Sequence, residues 1–291
     1  MLECEKIWFS PLLERQFPEA FKEIIRALED SALKYGLLDN TSDIWCRDYM
    51  PVKGADGEMV LFRYFPSYLR NSEKGRKSIT GQDAIFKCLG RKCKTSAIIL
   101  DGGAIEIHKD QGIVSDRLFR DNYETWGNDE KGLLEELRKV LSLRELFVVP
   151  QHPYDFTGHV DGLVRFIDEK RVLINDLMPE YKQMKEDPNS YRKKLIEQWY
   201  YPFKMALHNA NLECEELVCM ISENEKDSDA YGIYLNFLLL DDLVVVPGFD
   251  HKNDEVARLK LENIYDRKAI TVQATELAKE GGIINCVTWI Q

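Results

Sequence analysis

Cys286, His159, Asp161, Asp48 and Asp101 are the residues of this 291-residue chain whose types and surroundings could carry chemistry. Cys286 follows the pair Gly281-Gly282 in a loop-to-strand stretch near the carboxyl end. A catalytic cysteine acts as its thiolate, so it needs cationic or donor-rich neighbours and room for a substrate. Glycines permit that close approach, although a buried structural cysteine looks the same in sequence. His159 stands two residues before Asp161 in Thr157-Gly158-His159-Val160-Asp161. On an extended strand those positions share a face, so imidazole and carboxylate would point the same way. Such a pair suits a site in which a carboxylate grips a cation and a histidine moves protons; a surface ion pair is the plainer reading. A metal site lacks a second histidine or cysteine at supporting spacing. Of the other histidines, His108 and His251 fall at predicted turns, His152 in a loop and His208 near the end of a charged helix. Asp48 and Asp101 are of a type that also serves turns and caps. Three acids, one histidine and one cysteine nonetheless describe a site of negative potential with a thiol. A guanidinium fits it, being planar, always charged and forked in its donors.

These residues need elements to hold them. Helical periodicity covers Pro18 to Tyr35, Thr80 to Leu89, Glu130 to Leu143, Tyr191 to Asn209 and Asn253 to Tyr265. Asn253-Asp254-Glu255 offers a cap and early negative charge for the last of these. Between the helices lie paired strand-like runs, each headed by a polar residue: Asp48, Asp101, Asp161 and Asn236. Positions 48, 101, 161, 236 and 286 are separated by 53, 60, 75 and 50 residues, and Cys286 sits beside a further apolar strand. Recurrence at this period is a repeat signal. Hairpin and helix five times over is awkward as one open sheet and natural as a ring of modules, which would let the five polar side chains converge.

Composition excludes several classes. At 44% hydrophobic and 31% charged the chain has the apolar content to fold. The balance of 39 basic to 50 acidic residues, net −11, shows no basic stripe for nucleic acid. No run approaches the ~18 apolar residues of a membrane span. The amino terminus does not read as a secretory signal, and the seven cysteines read as reduced thiols of a cytoplasmic protein. Cys88 and Cys93, like Cys214 and Cys219, are five apart, which suits buried core thiols better than a zinc ribbon.

From Trp45 to Cys286 the chain resembles the agmatine deiminase and bacterial-type peptidylarginine deiminase family of the guanidine-modifying superfamily. Trp45-Cys46-Arg47-Asp48-Tyr49-Met50-Pro51 is similar to its W-x-R-D-x-x-P. Asp101-Gly102-Gly103 is similar to its acid-Gly-Gly, and Gly158-His159-Val160-Asp161 to its G-H-V-D. Tyr234-Leu235-Asn236-Phe237, with Val246-Pro247 and Asp254 downstream, is similar to its Y-x-N-F strand and the stretch beyond it. Gly281-Gly282-Ile283-Ile284-Asn285-Cys286-Val287-Thr288 is similar to its terminal G-G-x-x-H-C-x-T. The resemblance implies an α/β fold, a five-module pseudo-fivefold propeller (pentein), as a single domain over residues 1–291. It implies that Asp48 and Asp161 hold guanidinium nitrogens, that Cys286 attacks the central carbon, and that His159 protonates departing ammonia and then activates water. Asp101 would orient His159. Trp45 would line the pocket or pack the core, and Asn236 would bind substrate or cap its strand. No metal or organic cofactor is needed, and the partner is a small cationic guanidino substrate, with no nucleic acid or membrane; a homo-oligomer stays open. An amidinotransferase, or a propeller that has lost catalysis and only binds, would share these features. The chain departs from the family in having Asn285 where histidine is common, Glu280 where a third glycine often stands, and Asp101 where the agmatine enzymes usually have glutamate.

Overall fold

Short runs of β-branched and aromatic residues, bounded by turn residues, become strands, and amphipathic stretches become the helices between them. The computed structural model describes residues 6–29, 33–89, 93–177, 191–220 and 229–291, with 191–196 described by backbone alone. Cys4 lies outside them. In chain order the strands are β1 (Ile7–Phe9), β2 (Tyr35–Leu37), β3 (Val52–Lys53), β4 (Met59–Arg63) and β5 (Lys94–Ile99). Next come β6 (Ile105–His108), β7 (Gln111–Ser115), β8 (Glu145–Val149), β9 (Val164–Phe166) and β10 (Arg171–Asp176). β11 (Glu213–Val218), β12 (Leu238–Leu239), β13 (Leu243–Gly248), β14 (Lys268–Gln273) and β15 (Trp289–Ile290) complete the set. They form five three-stranded sheets, making the fold α/β.

Three of the sheets share a plan. An antiparallel hairpin, such as β3–β4, β6–β7 or β12–β13, is followed by helix and then by a strand parallel to the hairpin's second member. A parallel neighbour needs a crossover, and the helices supply it. The hairpins agree with the sequence reading; the third strands, β5, β8, β11 and β14, were not anticipated. The helix expected over Pro18 to Tyr35 ends at Glu29, and Tyr35 opens β2. The helix from Glu130 ends at Val140 rather than Leu143. β2 lies parallel to β1, and β15 pairs β1 antiparallel on its other side, with Ile7 opposite Ile290 and Trp8 opposite Trp289. The strand beside Cys286 therefore finds its partner at the other end of the chain.

By its contacts the chain divides into two compact units: Met1–Arg47, Thr80–Gly90 and Leu217–Gln291 form one, and Asp48–Ile79 with Arg91–Glu216 the other. In the second, Val60, Ile105, Val114, Leu133 and Leu137 belong to one buried apolar cluster between strands and helices. In the first, Asn253 is already helical rather than a cap. Asp254 instead accepts from Phe249 N and His251 N, and from the Tyr234 hydroxyl at 2.6 Å. That ties the Tyr234–Phe237 segment to the start of the helix Asn253–Tyr265. No helix among the described residues is long and apolar enough to cross a membrane.

Candidate active site

The polar residues expected to head strands stand in turns two to four residues ahead of them. Asp48 lies on the helical turn Cys46–Tyr49, Asp101 before the 3-10 turn Gly102–Ala104, and Asp161 in a turn before β9. His159 and Asp161 are thus not on an extended strand, and strand alternation does not bring them together; a backbone clasp does. Val160 N and Asp161 N both donate to Gly103 O, at 2.9 and 3.3 Å. Gly103 N donates to Asp48 Oδ1 at 3.1 Å. A Cβ on Gly103 would stand 2.8 Å from both Asp48 Oδ1 and His159 Nδ1, so the residue must be glycine for these groups to close up.

The result, within the second unit, is an imidazole between carboxylates. His159 Nε2 lies 3.2 Å from Asp101 Oδ2, and Nδ1 lies 3.7 Å from Asp48 Oδ1. Asp48, Asp101 and Asp161 are 6%, 4% and 1% exposed. Burial alone would push the imidazole down. The carboxylates of Asp48, Asp101 and Asp161 outweigh it and hold His159 at about 10. Burial, with Asp101 and Asp161 as like charges, pushes Asp48 up to about 7 against the opposing pull of His159. Asp101 Oδ2 also accepts the Tyr68 hydroxyl at 2.7 Å, while its Oδ1 is buried without a hydrogen-bond partner.

The loop carrying His159 is built locally. Asp155 accepts from Thr157 N, Thr157 Oγ1 and His159 N, which is side-chain capping of a turn. Gly158 sits at φ +74°, and a Cβ there would meet Arg117 Cβ at 2.5 Å. The buried Arg117 guanidinium holds this loop to its surroundings: Nε pairs Asp121 at 3.1 Å, Nη1 donates to Phe156 O at 2.5 Å, and Nη2 to Ser67 Oγ at 2.7 Å. Tyr68 and Arg117 carry no signal in the sequence, because they lie in no recurring motif. Asp155 had a signal in the spacing Asp-x-Thr.

In the first unit, Cys286 lies in a turn that precedes β15 and is 6% exposed. Asn236 Oδ1 is 3.4 Å from both the Cys286 amide N and Sγ, and Asn236 O accepts Asn285 N. Asn236 therefore holds the cysteine turn, a role the sequence did not suggest. Arg47 N donates to Cys286 O, and Cys46 Sγ donates to Val287 O at 2.9 Å. Trp45 packs on the glycine pair: a Cβ on Gly282 would be 2.5 Å from its ring. No disulfide joins the six described cysteines, and Cys88, Cys93 and Cys214 are half-buried rather than core. Among the described residues no three His, Cys, Asp or Glu side chains group as a metal ion requires.

Chemically, the second unit offers an imidazole that its carboxylate neighbours hold in the charged form, and the first a thiol held by its turn and by Asn236. Residues 21–291 match the family model of the Porphyromonas-type peptidyl-arginine deiminases. The agmatine deiminase of Pseudomonas aeruginosa is 22% identical over 281 residues, covering 86% of this chain and 74% of that protein. A substrate-bound agmatine deiminase variant from C. jejuni superimposes with a TM-score of 0.74 at 17% identity, covering 99% of this chain and 93% of that one. A Porphyromonas gingivalis structure described as a putative arginine deiminase gives 0.72 at 17% identity, covering 99% and 95%. With the family model spanning nearly all of it, the chain belongs to the Porphyromonas-type peptidyl-arginine deiminase family.

Proposed function

We propose that the protein is a cysteine-dependent deiminase that hydrolyses a guanidino compound, with agmatine or a related alkylguanidine as substrate, to the ureido product and ammonia. The observation that carries this reading is the buried His159 imidazole set between Asp48 and Asp101, with the buried Asp161 adding its negative charge, a set matched to a planar cation and a departing amine. The relatives named agmatine deiminases, one of them holding substrate, support the choice of compound. The reading takes the five sheets as the modules of the family's propeller and the chain as one catalytic domain.

Asp48 and Asp161 would accept the guanidinium N–H groups and concentrate positive character on the central carbon. Cys286 thiolate would add to that carbon, and His159 would give its proton to one amino group, which leaves as ammonia. The remaining S-alkylthiouronium stays bound to Cys286. His159, now neutral, would take a proton from water as its oxygen adds to the same carbon. Collapse expels the thiolate, and loss of a proton leaves the ureido product. Asp101 would keep Nε2 of His159 oriented. A colorimetric ureido assay over agmatine, arginine, a blocked peptidyl arginine and methylated arginines tests the reading. Ureido product without added amine, largest with agmatine, is expected; no product from any of them overturns it.

A further inference from the structure

We propose that Tyr68 is a positioning residue, whose hydroxyl shares one oxygen of Asp101 with His159 and so limits how firmly that carboxylate holds the imidazolium. Asp101 is buried, and all of its side-chain hydrogen bonding falls on Oδ2: the Tyr68 hydroxyl at 2.7 Å and His159 Nε2 at 3.2 Å, while Oδ1 has no hydrogen-bond partner. Two donors on one oxygen compete for the same charge, and the phenol holds the shorter bond. Without it, the whole negative charge of Asp101 would face the imidazole.

Tyr68 is built to keep this place. It sits on the short helix Ser67–Arg70, whose Ser67 N donates to Asp121 Oδ1 and whose Ser67 Oγ accepts from Arg117. Its ring meets Phe156 and His159 edge-on at 5.4 and 6.3 Å, and the Arg117 guanidinium lies 5.7 Å from its centroid. Arg117 thus binds both the segment carrying Tyr68 and the loop carrying His159. Burial, then the charge of Asp101, then Tyr64 and Asp48, hold the phenol well above its ordinary value, so it stays a donor. The groups facing His159 are Asp48, Asp101 and Asp161; those facing Tyr68 are Asp101, Asp48, Tyr64 and Arg117.

The kinetic consequence rests on the deiminase reading; the hydrogen-bond role does not. The test tracks the His159 imidazole by NMR through a pH titration of the whole protein without substrate, its signal assigned by its loss in His159→Gln. Tyr68→Phe is expected to raise the His159 midpoint by about one pH unit, and to raise it much less in an Asp101→Asn background. Site-specific replacement of Tyr68 by 3-fluorotyrosine, a stronger donor of nearly the same shape, is expected to lower the midpoint. No shift, an equal shift in both backgrounds, or fluorotyrosine moving it upward overturns the proposal. In the ureido assay Tyr68→Phe is expected to lower kcat about tenfold with little change in KM. Absence of any ureido product from the unaltered protein would remove the deiminase reading alone, since the titration still decides the role of Tyr68.

Discussion

His159 has a carboxylate against each ring nitrogen, which keeps it an imidazolium at neutral pH, ready to give a proton rather than take one. Asp48 is the group that titrates near neutrality. It must be ionised to hold a cation, so kcat/KM should rise with pH along a limb centred near 7, the value at which Asp48 gives up its proton. Asp48→Asn should erase that limb and lower kcat/KM about a hundredfold or more; a pH profile of both proteins checks it. Cys286→Ala should abolish turnover while the thermal midpoint stays, and Asp161→Asn should raise KM at least about tenfold, because half of its acceptor fork becomes a donor. Steady-state assays with circular dichroism on each variant decide these. The candidate groups stand out in the sequence because one cysteine, one histidine and three acids lie at or beside the recurring positions that head strand-like runs. Their partners do not. Nothing in the types or spacing of Tyr68 and Arg117 distinguishes them from packing residues, and the bond between Asn236 and the Cys286 turn joins positions 50 apart.

At the scale of elements, the site is held by backbone clasps and one buried guanidinium rather than by strand faces. Gly103→Ala should push Asp48 and His159 apart, since the added carbon would stand 2.8 Å from each. An ångström of misplacement costs about a hundredfold in rate, so activity should fall by that order. An unfolding curve shifted only slightly would separate this from collapse. Arg117→Met should cost about 3–5 kcal/mol, because it leaves the buried Asp121 without its cation; urea unfolding measures it. Hairpins and long helices were readable from their periods of 2 and 3.6. The parallel third strands were not, since a run such as Lys94–Ile99 is largely exposed until its last two residues and has no hairpin turn to announce it. Tyr35 reads as part of the preceding helix because an aromatic at helical spacing is ambiguous until its partner strand is known.

Over the whole molecule, the repeat of five polar residues anticipated five sheets, and the structure contains five among its described residues. What no local pattern could reveal is that one sheet is assembled from both ends of the chain, because pairing across nearly the full sequence leaves no periodic trace. Trp289 is 3% exposed in that sheet, and Trp8 Nε1 donates to Gln291 Oε1 at 3.0 Å. Deleting 289–291 should therefore cost about 3–5 kcal/mol, comparable to emptying a buried tryptophan site, and denaturant midpoints test this.

The β1–β15 pairing has a consequence for biosynthesis. Trp8 and Gln291 are separated by 283 positions. A polypeptide emerging vectorially from the ribosome offers β1 its parallel neighbour β2 early, but its other neighbour only after residues 289–290 have been made. Until then, one rim of β1 is an unsatisfied ladder of amide and carbonyl groups, the kind of template on which nascent chains join one another. Polysome crowding should thus threaten this protein at β1, and a chaperone that shields that segment would guard the interval before β15 appears.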